Sequence, residues 1–149
     1  MTHLPLLQTL VGEVISHVWF SDYSICYLEL GELKAGRKLP NGWIGSPSGE
    51  FTLFLGYDWQ AEISGHSSYR LDFHANEFER ESLVTKLQGA VVRSVELVEE
   101  SSEIEIGLST NVVLLTISDE DDGPDWSIKF DKQVQGYLFI ENDELKFKN

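Results

Sequence analysis

The residues that most often do chemistry in proteins lack, in this chain, the spacing that known reactions require. Its histidines, His3, His17, His66 and His74, form no His-x-His or His-Glu-x-x-His motif, which would place two ligands on one metal ion. The single cysteine, Cys26, permits neither an intrachain disulfide nor a cysteine-based zinc site. The sequence also has no Gly-x-Ser-x-Gly elbow, phosphate loop or dinucleotide fingerprint. We therefore expect a protein that is not an enzyme and that holds no metal or cofactor.

Acidic residues are the most prominent chemical feature. The chain has 25 acidic and 11 basic residues and a formal net charge of −14, and most of the excess lies in residues 76–149. Nucleic acid and anionic membrane repel such a chain, because it has few cations to replace their counterions. We expect neither as a partner. A basic protein is the partner that this charge suits.

A run of four acids at 119–122 resembles a calcium-binding loop. However, Gly123 occupies the fifth position and Phe130 the twelfth, where an EF-hand loop requires oxygen ligands. The run is therefore either solvated surface charge or a patch that contacts a cationic partner. The candidate partner-binding residues are Asp119, Glu120, Asp121, Asp122, Glu99, Glu100 and Glu103, with Trp43 as an aromatic anchor.

Residues 31–50 are rich in glycine and proline, and they predict a long surface loop of the kind that is often functional. This loop supports a second interpretation, in which the chain is a small-ligand or carbohydrate-binding β module. The loop would then act as a lid, with Trp43 and Trp59 as stacking surfaces. The repeated Asp-Trp pairs, Asp58-Trp59 and Asp125-Trp126, favour instead a structural role in which each tryptophan anchors a strand in the core.

The elements that must position these residues occur in two similar sets. Residues 6–18 and 83–95 share the pattern Leu-[Leu/Val]-x-x-Leu-x-Gly-x-Val-[Ile/Val]-x-x-Val at an offset of 77. In each copy, apolar residues at i, i+1 and i+4 predict a short helix, the glycine predicts its end, and the β-branched residues predict a strand. Asn76 is the expected N-cap of the second helix, and Arg93 falls where a bulge or an exposed edge would explain its charge.

The pattern predicts one domain over residues 1–149, with repeat halves at about 4–73 and 77–148. Further matches include Leu28 with Ile104, offset 76, and Trp59 with Trp126, offset 67. The expected fold is a β-dominated α+β domain, in which antiparallel sheets are built from two similar halves that each begin with a helix. The order of the two halves suggests a pseudo-two-fold duplication.

The Leu-x-Gly-x-Val spacing, the Phe51-Thr52-Leu53 strand and the second copy that ends in Asp125-Trp126-Ser127-Ile128 resemble a group of small bacterial proteins. Small acidic proteins of this kind resemble the immunity proteins of bacterial toxin systems. The resemblance covers most of residues 6–147 and carries no active-site residue. It implies a protein that neutralises a toxin by covering a basic surface. We expect a cytoplasmic location, because the sequence shows neither a basic signal-peptide start nor ~20 consecutive apolar residues.

Overall fold

In a computed structural model, the protein consists of two antiparallel sheets and two short helices. The structure describes residues 4–21, 25–56, 59–64, 69–72, 75–98, 102–117, 126–132, 134–142 and 144–149. Its elements, in chain order, are α1 (Leu4–Gln8), β1 (Ile15–Ser21), β2 (Ile25–Leu30), β3 (Phe51–Gly56), β4 (Trp59–Ile63), β5 (Tyr69–Asp72), α2 (Glu77–Leu87), β6 (Val92–Leu97), β7 (Ile104–Leu108), β8 (Val112–Thr116), β9 (Ser127–Lys132), β10 (Val134–Glu141) and β11 (Glu144–Lys148). Among the residues described, no helix is long and apolar enough to cross a membrane.

The two sheets exchange strands between the first and second parts of the chain. One sheet has six strands in the order β1-β2-β3-β9-β10-β11, and the other has five in the order β5-β4-β8-β7-β6. Strand β9 therefore pairs with β3, and β4 pairs with β8, all antiparallel. The β-dominated α+β architecture with antiparallel sheets is confirmed. Neither part of the chain completes a sheet from its own strands.

The first strands of the two parts meet at one backbone bridge, between Val14 and Val91, which are 77 residues apart. Each contact beside this bridge has a counterpart in which both residues are displaced by 77 positions: Ile15 N donates to Ala90 O at 2.8 Å, and Val92 N donates to Glu13 O at 2.9 Å. The backbone around the bridge is thus locally two-fold.

Helix α2 begins and ends where the sequence predicts. The side chain of Asn76 accepts a hydrogen bond from Glu79 N at 2.8 Å, and Glu79 Oε1 accepts one from Asn76 N at 3.1 Å. This reciprocal capping box satisfies backbone donors that the first helical turn leaves unpaired. Gly89 follows the helix with φ +88°, and Gly12 follows α1 with φ +94°. The helix faces the core with Leu83 and Leu87, both fully buried.

The core lies between the two sheets and the helices, and two tryptophans are its largest side chains. Trp59 is 0% exposed and Trp126 is 2% exposed, so the predicted anchoring role of both is confirmed. Trp126 Nε1 donates to Ser102 O at 3.0 Å, which satisfies the indole donor. Other buried members of this cluster are Leu10, Ile15, Leu28, Leu30, Leu53, Leu114, Ile128 and Phe130.

The pairing registers correct one correspondence and confirm one expectation. Leu28 pairs with Leu53 in the first part, and Ile106 pairs with Leu114 in the second. Leu28 therefore corresponds to Ile106, at offset 78 and not 76, because repeat counting cannot see how a hairpin is paired. The expected irregularity at Arg93 is present: the register shifts between Val92 and Ser94, and Arg93 is exposed.

Candidate functional site

The predicted partner-binding acids fall mostly outside the described residues. Asp119, Glu120, Asp121, Asp122, Glu99 and Glu100 all lie there. Glu103 is described and is only 8% exposed. Its carboxylate accepts a hydrogen bond from Thr116 Oγ1, and that oxygen accepts one from Ile104 N at 3.0 Å. Glu103 thus holds the start of β7 against the end of β8, and it does not lie on an open surface as expected.

A different set of acids lines the surface of the five-stranded sheet that points away from the core. Strand alternation places Glu96 of β6, Glu105 of β7 and Glu62 of β4 on this surface, and all three are exposed. Between them lie the half-buried Val113 and Leu115 of β8. We call these five residues the acidic face. Three carboxylates around an apolar centre can attract a cationic surface and then bury part of it.

The acidic face contains a like-charged pair that opposes folding. Glu96 and Glu105 are direct cross-strand partners. Like charges in such positions destabilise a sheet by roughly 0.2–1 kcal/mol relative to a neutral pair. In the six-stranded sheet, the corresponding partners are Trp19 and Tyr27, whose rings stack with centroids 3.9 Å apart. The same backbone arrangement therefore holds a stabilising pair in one sheet and a repelling pair in the other.

The aromatic pair of the six-stranded sheet is held in place by a buried carboxylate. Glu29 is 2% exposed, and it accepts hydrogen bonds from Trp19 Nε1 at 2.8 Å, Gly49 N at 3.1 Å and Thr52 Oγ1. Because the rings of Trp19 and Tyr27 are parallel within 4°, they turn their faces to each other and not outward. This geometry offers a planar ligand no open stacking face between them. The pair therefore acts as a cover over Glu29.

The connection between β2 and β3 is a hairpin and not the irregular loop that its composition predicts. Residues 33–49, which we call the arm, are joined by antiparallel bridges at Lys34–Ser48 and Lys38–Ile44. Leu39 N donates to Trp43 O at 2.7 Å, and Gly42 N donates to Leu39 O at 2.9 Å with Gly42 at φ +86°. This is a three-residue hairpin turn over 40–42, in which proline and a left-handed glycine occupy favourable positions.

Close backbone approach keeps the two sides of the arm together. A Cβ atom on Gly36 would lie 1.7 Å from Gly45 O, so only glycine fits at position 36. At its base, Lys34 Nζ donates to Asp131 Oδ2 of β9 at 2.7 Å. This hydrogen bond raises the pKa of Lys34 and lowers the pKa of Asp131. The arm is thus a built element that is attached to the six-stranded sheet.

The arm exposes large apolar side chains near its turn. Trp43 and Ile44 are each 72% exposed, and Leu39 is 41% exposed. Clustered exposed apolar side chains on a soluble domain are typical of interaction sites. In the second part of the chain, the corresponding connection between β7 and β8 needs only residues 109–111. The fold therefore does not require the arm.

Other candidate sites from the sequence receive no support from the positions of their side chains. Trp59 lies in the core, so it is not a stacking surface beside Trp43. Cys26 is fully buried, and burial raises the pKa of its thiol, which keeps it protonated and unreactive. Among the described side chains, no group of three or more histidine, cysteine or acidic residues is placed to hold a metal ion.

Comparison of the chain with family models, curated proteins and solved structures found no match. Any statement about function must therefore come from the surfaces just described.

Proposed function

We propose that this chain is a non-enzymatic binding protein whose acidic face docks on a basic protein. The three glutamates of the face would accelerate the encounter and fix the orientation of the partner. Val113 and Leu115 would supply apolar contact area at the centre of the interface. This proposal agrees with the formal net charge of −14.

The observation that carries the proposal is the direct pairing of Glu96 with Glu105. A cationic side chain from a partner would lie between two carboxylates that otherwise repel each other, so binding would relieve a cost that the free protein bears. The stacked Trp19–Tyr27 pair at the corresponding position indicates that the fold itself does not demand this cost.

We propose further that the partner is a bacterial toxin and that the chain is its cytoplasmic immunity protein, which acts by occlusion. The acidic face would cover a basic surface such as the active site of a nuclease. The acids at 119–122, 99 and 100 remain predicted contributors to the same charge. The resemblance in sequence pattern and the excess of carboxylates support this proposal.

We also propose that the chain arose by duplication of a unit that begins with a helix. Three observations support this history: the repeated sequence pattern, the doubled contacts around Val14 and Val91, and the equal strand orders β1-β2-β3-β9-β10 and β6-β7-β8-β4-β5. A doubled unit that exchanged strands as a dimer would retain that exchange after fusion.

Capture from the native lysate on immobilised chain tests the binding proposal. The wild type and Glu62→Gln should both retain the basic partner, because the second still carries the paired carboxylates. Glu96→Gln/Glu105→Gln should lose it. The association rate should also fall steeply as sodium chloride rises from 50 to 500 mM. Equal retention by the double variant, or a rate that is insensitive to salt, would contradict the proposal.

Co-expression tests the identity of the partner as a toxin. The captured protein should arrest growth when produced alone, and wild-type chain should restore growth. The double variant should fail to restore growth although it accumulates to the same level. A captured protein that is harmless to the cell would leave the binding proposal standing and would refute the immunity role.

A further inference from the structure

The arm has a charge opposite to that of the rest of the chain. Residues 33–49 contain Lys34, Arg37 and Lys38 and no acidic residue, so the arm carries +3. Because the whole chain carries −14, the remaining residues carry −17. Lys34 is paired with Asp131, whereas Arg37 and Lys38 are exposed and form no ion pair among the described residues. Two free cations therefore accompany the exposed Trp43 and Ile44.

The arm is long enough for its outer half to act independently of the acidic body. Four residues separate the bridge at Lys34 from the bridge at Lys38, which corresponds to about 13 Å of strand. The turn lies farther out. Electrostatic screening at physiological ionic strength has a characteristic length of about 8 Å. A charged surface that meets the end of the arm is therefore attracted by Arg37 and Lys38 more strongly than it is affected by the body.

The acidic face has the complementary composition. Its exposed carboxylates, on Glu62, Glu96 and Glu105, surround the apolar side chains of Val113 and Leu115. The end of the arm has cations beside Trp43 and Ile44, which are among the most exposed apolar residues described. Each surface thus offers the charge and the apolar area that the other lacks.

We infer that the arm of one molecule docks on the acidic face of a second copy of this chain. The contact is heterologous, since two different surfaces meet, and each copy still has one free arm and one free face. Repetition of such a contact gives open chains, or a ring where the geometry closes. A basic partner that occupies the acidic face would compete with this self-association.

A second copy is favoured over an anionic membrane by the composition of the turn. The outermost residues of the arm include Asn41, whose side-chain oxygen accepts a hydrogen bond from Trp43 N at 3.0 Å. A polar turn opposes insertion into lipid, whereas Trp43 and Ile44 beside it suit contact with a protein surface. The charge of −17 outside the arm adds repulsion from anionic lipid.

Sedimentation velocity with a charge-swapped pair of variants tests this inference. The wild type should show a weight-average sedimentation coefficient that rises with protein concentration and falls back in 0.5 M sodium chloride. Arg37→Glu/Lys38→Glu and Glu96→Lys/Glu105→Lys should each associate at least tenfold more weakly. An equimolar mixture of the two variants should regain association, because the reversed arm then meets a reversed face.

The control variant is Lys129→Glu/Lys148→Glu, which makes the same change in net charge at two exposed lysines outside the arm and the acidic face. It should associate like the wild type, and thermal unfolding followed by circular dichroism should show that all variants are folded. A wild type that is monomeric at every concentration, or folded variants whose mixture remains monomeric, would overturn the inference. Salt-sensitive binding to phosphatidylserine vesicles that Trp43→Ala abolishes would overturn it in favour of a membrane.

This inference uses the acidic face of the proposed function but fails separately from it. Arg37→Glu/Lys38→Glu should lose self-association and still capture the basic partner, whereas Glu96→Gln/Glu105→Gln should lose both. Loss of partner capture alone by the arm variant would overturn the assignment of the arm to a second copy.

Discussion

Replacing Glu105 with glutamine should stabilise the protein, although the change touches no part of the core. Glu105 faces Glu96 directly across β6 and β7. With the two carboxylates about 7 Å apart in water, their repulsion amounts to about 0.6 kcal/mol. This value lies within the range of roughly 0.2–1 kcal/mol that like-charged cross-strand pairs cost. Glutamine has the same shape and removes the charge, so the free energy of unfolding should rise by about that amount.

The expected increase is measurable by thermal unfolding. A chain of 149 residues has an unfolding entropy of about 0.3 kcal/mol/K near its midpoint, so 0.6 kcal/mol corresponds to a rise in Tm of about 2 °C. Differential scanning calorimetry at 20 mM sodium chloride should show this rise. In 1 M salt the screening length falls to about 3 Å, and the difference from the wild type should nearly vanish.

Glu62→Gln is the matched control for this measurement. Glu62 lies on the same face, but its cross-strand partners are Val113 and Arg70, so neutralising it removes no carboxylate pair. Its Tm should stay level or fall slightly. A Glu105→Gln variant that melts at or below the wild type at low salt would refute the reasoning, as would a gain of the same size in 1 M salt.

Two further predictions concern buried groups. Glu29→Gln should lower the free energy of unfolding by about 1.5–3 kcal/mol in urea denaturation, because an amide cannot accept all the donors that the carboxylate satisfies; the surface variant Glu141→Gln should change it by less than about 0.5 kcal/mol, and equal midpoints would contradict this role of Glu29. For Cys26, burial raises the thiol pKa in the folded state, so above its ordinary pKa of 9.0 the unfolded state loses a proton that the folded state keeps. The stability of the wild type should therefore fall with pH above 9 by up to about 1.4 kcal/mol per unit relative to Cys26→Ala, and parallel stability–pH curves for the two proteins would be the opposite result.

The elements that the sequence predicts well are those whose signals are local. The capping residue Asn76 and the terminating glycine Gly89 act within one turn of α2, and both lie where expected. The bulge at Arg93 is also visible as a charged residue that interrupts an apolar alternation. The burial of Trp59 and Trp126 follows from their size and from the half-apolar strands in which they occur.

The features that the sequence does not reveal depend on contacts between distant residues. Alternation along β2 places Glu29 on the face opposite the core, and only the approach of Trp19 and Gly49 explains why its carboxylate is buried. The pairing of β4 with β8 is likewise invisible to a pattern that describes one strand at a time. The arm was concealed by its composition, because glycine and proline that usually mark irregular loops here form a tight turn and a close backbone approach.

The corresponding positions of the two sheets separate what the fold needs from what it merely tolerates. Where Trp19 stacks on Tyr27, the other sheet has Glu96 opposite Glu105. Where 17 residues form the arm, the other connection is closed by three. Both differences leave the strand pairing intact, and each adds a cost, either charge repulsion or exposed apolar surface, that packing does not repay. Features that burden a fold without supporting it are the places where selection for binding is most plainly expressed, and in this chain those places have opposite charge.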